Sequence, residues 1–408
     1  MKFARSYQNT ARFLLAYQEL WKNEIMLGYP APLKDYPAHW IRALRAYDYP
    51  TIALRLSQGH IPPELPEDLR AWLGQIAALT ELPVAARPPA DLPAPSWVKI
   101  GQKKQHEIER LAPLVAQTAE HSDLRHVVDV GGGVGHLAQV LAHHYQLSVT
   151  SLDMDEMLQH AGKHWQSVKW PGSPHAVDFR AHRLERDDLH FRSLLTPHTL
   201  STGLHTCGPL ADHQIAAVVQ AGAALVNLGC CYHKIPPSEL PRSQVARELP
   251  LPWNLFALTL ASGAHRKQDA ADFAFKQKLK RKRYALHFLL HDHLATPGLV
   301  TLGNGSAGLY DGSFAAYARE QLRRLNLQSD WSDADLEAFA EDRERRKIIE
   351  DMIYAGILRD LLGRPLELAL LFDRALWLEE HAYEVELQEI FDARRSPRNV
   401  ALVAVRAN

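Results

Sequence analysis

Four glycines, Gly131, Gly132, Gly133 and Gly135, follow the apolar run Val127-Val-Asp-Val130 and lead into a helical pattern. A strand, a glycine turn and a helix together let a backbone without Cβ atoms approach a ligand, and the helix start offers it free N–H groups. Asp153 stands at the end of the next apolar run, where a carboxylate suits the two hydroxyls of a ribose. The spacing discriminates between cofactors. A dinucleotide fingerprint needs Gly-x-Gly-x-x-Gly, and His136 occupies its last position.

The pattern present is Asp129-x-Gly131-x-Gly133-x-Gly135, which is associated with S-adenosylmethionine domains. Asp129, Gly131, Gly133, Gly135 and Asp153 are therefore the expected cofactor residues. A second constellation holds all three cysteines of the chain, in Gly203-Leu-His-Thr-Cys-Gly208 and Asn227-Leu-Gly-Cys-Cys-Tyr-His233. Three readings of it stand side by side. His205 or His233 could act as general base beside Cys207 and Cys230 in a methyl-transfer site. The set could bind zinc. It could be packing, since cysteine is small and often buried. Against zinc stands the lack of Cys-x-x-Cys spacing, and the expectation that Cys230 and Cys231 point to opposite faces of a strand. Against a cysteine nucleophile stands the lack of an evident group to lower a thiol pKa. The Asn/Asp-Pro-Pro-Tyr motif that grips an exocyclic adenine amine is absent, which counts against N6-adenine methylation.

Positioning these residues requires a parallel sheet. Val127–Val130, Val149–Leu152, Thr202–His205 and Ala224–Leu228 read as strands, with helical periods between them. Before them lie a helical region over 1–82 and a proline-rich stretch over 83–96, read as an extended linker. An amphipathic helix is expected from about Lys103 to Glu120. After the core, 97–235, comes a helical insertion over 236–382. A closing β-hairpin over 383–408 turns at Ser396-Pro-Arg-Asn399. The predicted fold class is α/β, doubly wound.

The chain is 408 residues long with a formal net charge of −1, which removes the simplest argument for nucleic-acid binding. Three cysteines build no disulfide framework, so a reducing compartment is expected. With neither a leader pattern nor an apolar run of membrane-spanning length, the expectation is a soluble, cytoplasmic protein with no membrane partner.

Lys103-Lys-Gln-His-Glu-Ile108, the glycine loop, His205-Thr-Cys-Gly208, Gly229-Cys-Cys-Tyr-His233 and Ser396-Pro-Arg-Asn399 together resemble the methyltransferase-like protein 25 family, including relatives named for a ribosomal RNA adenine dimethylase domain. The His-x-Cys-Gly and Cys-Cys pieces are also similar to those of eukaryotic tRNA 2′-O-methyltransferases of the acceptor stem. The resemblance implies a class I methyltransferase (Rossmann-like) sheet and S-adenosylmethionine as cofactor. It also implies that Lys103, Lys104, His106 and Glu107 border that cofactor.

Two basic features are candidate substrate contacts. One is Lys276-Gln-Lys-Leu-Lys-Arg-Lys-Arg-Tyr284, which includes Lys280 and Arg281; the other is Arg394, Arg395 and Arg398 in the hairpin turn. Both suit phosphate, and both are also compatible with charged faces that bind nothing. The reading is a methyltransferase acting on RNA. A protein substrate, or a non-catalytic binding protein that has kept the fold, are the alternatives.

Overall fold

The short apolar runs become a seven-stranded sheet. A computed structural model describes residues 1–85, 88–264, 268–294 and 307–407. Positions 86–87 of the proline-rich stretch, 265–267 and 295–306 of the insertion, and 408 of the hairpin lie outside the described residues. The strands are β1 His126–Val130, β2 Ser148–Asp153, β3 Asp178–Ala181, β4 Thr199–Cys207, β5 Ala224–Cys230, β6 Tyr383–Glu389 and β7 Val400–Arg406. Their order is β3-β2-β1-β4-β5-β7-β6. β1 to β5 are parallel, and β7 lies antiparallel between β5 and β6. β6 therefore runs with β1 to β5, and the turn after it falls at their carboxyl ends.

This is the α/β, doubly wound arrangement that the sequence implies. The chain steps outward from β1 to β3, then returns to the other side of β1 as β4. The carboxyl ends of β1 and β4 thus flank a topological switch point, where ligands of open α/β sheets bind. Every residue of β5 is buried, as befits a central strand covered on both faces. Val127, Val149, Leu200, Val226 and Val403 pack with Ile108, Leu111 and Val115 of the helix Gln102–His121. Each such side chain contributes roughly 1.5–3 kcal/mol through burial. β3 left no clear trace in the sequence: it is four residues long, and Phe179 is its one buried side chain.

Contacts divide the chain into two compact units, one of 1–16, 79–267 and 364–408, the other of 17–78 and 268–363. The boundaries read from the sequence cut across both. The first helix, Ala4–Ala16, belongs with the sheet unit: Tyr7 donates its hydroxyl to the Leu249 carbonyl at 3.1 Å, and Phe3 stacks on Phe372. The helix Gly363–Glu380 belongs there too. The proline-rich stretch is less a free linker than a strap. Ala85 N–H donates to the Glu389 carbonyl at 2.8 Å, and Ala90 N–H to the Glu109 carbonyl at 2.7 Å. Proline blocks a helix but tolerates extended pairing at a sheet edge.

The second unit is built from helices, among them Tyr49–Ser57, Ala270–Leu294, Phe314–Arg324 and Arg343–Leu361. Asp48 and Ser332 cap helix starts there by accepting backbone N–H groups. Among the described residues no helix is long and apolar enough to cross a membrane.

Candidate active site

β1 delivers Asp129 and then the glycine turn. Gly131 and Gly132 both donate N–H to the Leu152 carbonyl, at 2.8 and 3.0 Å, which ties the turn to β2. The tightest approach is at Gly132, where a Cβ would stand 2.3 Å from Ser151 Oγ and 2.9 Å from Asp129 Oδ2. Gly135 has φ +70°, and a Cβ there would meet the Phe179 ring at 2.4 Å. Asp153 ends β2 facing this turn. Its two carboxylate oxygens accept the N–H groups of Gly133 and Asp155, each at 2.9 Å.

Asp129 is 2% exposed, and among the described residues its Oδ2 has no hydrogen-bond partner. Burial, with the opposing charge of Lys104 only partly offsetting it and that of Asp153 adding to it, pushes its carboxyl up to about 7. An unpartnered buried acceptor beside glycines that admit no side chain forms a cradle that suits a ligand. The charge of Lys104 reaches both Asp129 and His136.

Glu107 organises the second half of the site. It lies on the apolar face of the helix Gln102–His121 and is fully buried. Its Oε1 stands 2.7 Å from His205 Nε2 and accepts the Ser396 hydroxyl at 2.7 Å, while Lys104 Nζ lies 3.0 Å from Oε2. Burial alone would raise this carboxyl. The hydrogen bond and charge of His205, the charge of Lys104 and the Ser396 hydroxyl outweigh it and hold the group at about 2. One carboxylate thus joins the helix, the end of β4 and the hairpin turn. The sequence reading named Glu107 only as a neighbour of the cofactor. A charged residue on an apolar helix face was the available signal.

His205 sits where the β4–β5 register slips between Leu204 and Thr206, with φ +66°. A bulge of this kind re-aims a side chain at a strand end. With Nε2 facing Glu107, its Nδ1 is left as the acceptor.

The register pairs Cys207 with Cys230 across β4 and β5. Cys231 has φ +51°, a left-handed turn that swings its side chain back, so the expected divergence of Cys230 and Cys231 does not occur. The sulfurs lie 3.1 Å (Cys207–Cys230), 3.6 Å (Cys207–Cys231) and 3.6 Å (Cys230–Cys231) apart. The expectation that nothing lowers a thiol pKa is also corrected. Hydrogen bonding from Cys230 outweighs burial and, with Cys231, Lys234 and His205 helping, brings Cys207 down to about 5. The Cys230 and Cys231 thiols are pushed up, by the Cys207 hydrogen bond and by burial respectively.

Several expected residues are employed elsewhere. His106 is 2% exposed, and its Nε2 accepts the Asp392 N–H at 3.1 Å. It fastens the hairpin turn. His233 is exposed, and its Nδ1 meets Ser262 Oγ at 3.2 Å. Arg398 is buried, donating to Glu367 Oε1 and the Ala261 carbonyl, each at 2.9 Å. Arg394 and Arg395 are exposed on the same turn.

In the helical unit, Lys280 is half-buried and lies 3.7 Å from Asp360, and Arg281 pairs with Glu350. Lys276 pairs with Asp360 and Lys278 with Asp311, while Lys282 donates to the carbonyls of Leu309, Gly312 and Ser313. That basic run is mostly committed to its own unit.

Residues 103–238 match a family described as a methyltransferase domain. They contain Glu107, the glycine loop, Asp153, His205 and all three cysteines. These residues form a class I methyltransferase domain. Its cofactor is S-adenosylmethionine. Outside the matched stretch, the methyltransferase domain is completed by β6 and β7, which close its sheet. Two proteins named probable methyltransferase-like protein 25 are similar to the chain. The Mus musculus protein is 33% identical over 61 residues, which is 15% of this chain and 10% of that one. The Homo sapiens protein is 28% identical over 75 residues, 16% and 12% of the two chains. The match thus spans about a tenth of the length of these relatives. A solved structure of the plantazolicin methyltransferase BpumL in complex with SAH aligns at 10% identity over 72% of this chain and 92% of that one, with a TM-score of 0.23.

Proposed function

We propose that the whole chain is an S-adenosylmethionine-dependent methyltransferase whose acceptor is RNA. The observation that carries the reading is the unpartnered Oδ2 of Asp129 beside Gly132, where no Cβ fits, with Asp153 facing the same turn. Asp129, Gly131, Gly133, Gly135 and Asp153 would hold the cofactor, with Lys104 at their border. S-adenosylmethionine, when bound, supplies a methyl group on a positively charged sulfur. The residues around it bind, orient and move a proton. Glu107 fixes His205 through Nε2, and Nδ1 takes the proton that an acceptor hydroxyl or amine loses as it is methylated. Much of the rate comes from alignment of the two substrates.

Support for RNA comes from the carboxyl edge of the sheet, where Lys234, Arg394 and Arg395 are exposed. Cations of this kind contact phosphates and position a strand without reading its sequence. The likeness of the His205-Thr-Cys-Gly208 and Cys230-Cys231 pieces to tRNA 2′-O-methyltransferases points the same way.

The test is transfer of a tritiated methyl group to total RNA and to total protein, with the full chain as enzyme. Label should enter the RNA fraction and disappear on ribonuclease treatment. Reversing both charges, Arg394→Glu with Arg395→Glu, should lower RNA labelling by about tenfold or more while leaving cofactor binding intact. Label confined to protein would overturn the RNA reading. Cofactor binding with no label in either fraction would indicate a non-catalytic binding module.

A further inference from the structure

We infer that Cys207, Cys230 and Cys231 together hold one thiophilic divalent metal ion, zinc, through three sulfurs. The inference rests on the thiols alone and is independent of the methyl acceptor. Their separations of 3.1, 3.6 and 3.6 Å form a compact triangle. Zinc–sulfur bonds of about 2.3 Å in a tetrahedron set the sulfurs about 3.8 Å apart, so a small outward shift of each side chain admits an ion. All three candidate donor atoms lie within 4.8 Å of one another.

The backbone builds this triangle by unusual means. In a regular strand Cys231 would point away from Cys230. The left-handed φ of +51° at Cys231 brings its sulfur back, at a conformational cost that a β-carbon normally avoids. Cys207 reaches the same place because the bulge at His205 shifts the end of β4 into register with Cys230. Gly208 N–H donates to the Cys230 carbonyl at 2.9 Å and locks the two strand ends together.

Simple packing explains this poorly. Cys207 and Cys231 are only partly buried, so little apolar area rewards the strained turn. The three thiols offer one another only weak hydrogen bonds, and the Cys230 thiol has in addition the His205 carbonyl at 3.4 Å. Lys234, whose charge reaches Cys207, offsets the excess negative charge of three thiolates on a divalent ion. Three protein ligands leave the fourth tetrahedral position to water or to an incoming acceptor atom, as in zinc sites that are open to substrate.

The full chain, purified under reducing conditions and stripped with a chelator, is titrated with cobalt(II) and then zinc. One equivalent of cobalt should give thiolate-to-metal charge-transfer absorption that zinc abolishes. Cys207→Ser, Cys230→Ser and Cys231→Ser should each weaken binding by about a hundredfold or more, the scale at which even outer-shell losses begin to tell. Alkylation of the wild type supplies a second readout that needs no variant. Zinc should protect all three cysteines from iodoacetamide, and a chelator should remove the protection. Full alkylation in the presence of stoichiometric zinc would overturn the inference. So would metal binding unchanged in the serine variants, or a Cys207–Cys230 disulfide as the state of the isolated protein.

Discussion

Glu107 and Asp129 are two buried carboxylates whose ionisation is pulled in opposite directions. Glu107 falls from 4.5 to about 2 on folding, because the contacts to His205, Lys104 and Ser396 outweigh burial. Its contribution to stability is complete above pH 4.5 and is lost as pH falls through 2. The shift corresponds to about 3 kcal/mol. Asp129 rises from 3.8 to about 7, mainly by burial. Its contribution is complete below pH 3.8 and is lost as pH rises through 7. Denaturant unfolding followed from pH 2 to 8 should therefore show an acid limb that flattens in Glu107→Gln, and a decline towards neutrality that flattens in Asp129→Asn. Curves parallel to that of the wild type would show that neither carboxylate is held as described.

At the scale of elements, the hairpin turn between β6 and β7 does the fastening. Ser396 reaches Glu107, the Asp392 N–H reaches His106, and Arg398 reaches Glu367, which also holds Arg364 at 2.7 Å. Removing one partner from a buried ion pair strands the other charge, at a cost of about 3 kcal/mol or more. Arg398→Ala should accordingly lower Tm by roughly 6–12 °C, whereas Arg395→Ala, on the same turn but exposed, should change it little. Equal effects of the two substitutions on the melting curve would refute this division of labour.

That division also shows what the sequence could reveal. The glycine loop, Asp153 and the strand ends carrying Cys207 and Cys230 were legible, because apolar periodicity fixes a parallel sheet and a parallel sheet fixes which ends meet. Three things were not. A short edge strand such as β3 leaves no apolar run. A left-handed residue such as Cys231 is invisible in a pattern that assumes regular alternation. Arg398 and Arg394 look alike in a string, since only tertiary packing decides which arginine is buried. The proline-rich stretch was read as an extended linker, but its pairing with Glu389 depends on a partner about three hundred residues away.

Taken whole, the molecule carries a formal charge of −1, and the described basic run of its helical unit is mostly satisfied internally. The central claim is that the carboxyl edge of the sheet binds S-adenosylmethionine, and calorimetric titration of the purified full chain tests it most directly. The account predicts saturable binding at one site per chain, weakened by about tenfold or more in Asp153→Ala, which loses hydrogen bonds to a charged acceptor. Absence of binding by a folded wild-type protein free of co-purified cofactor would contradict it.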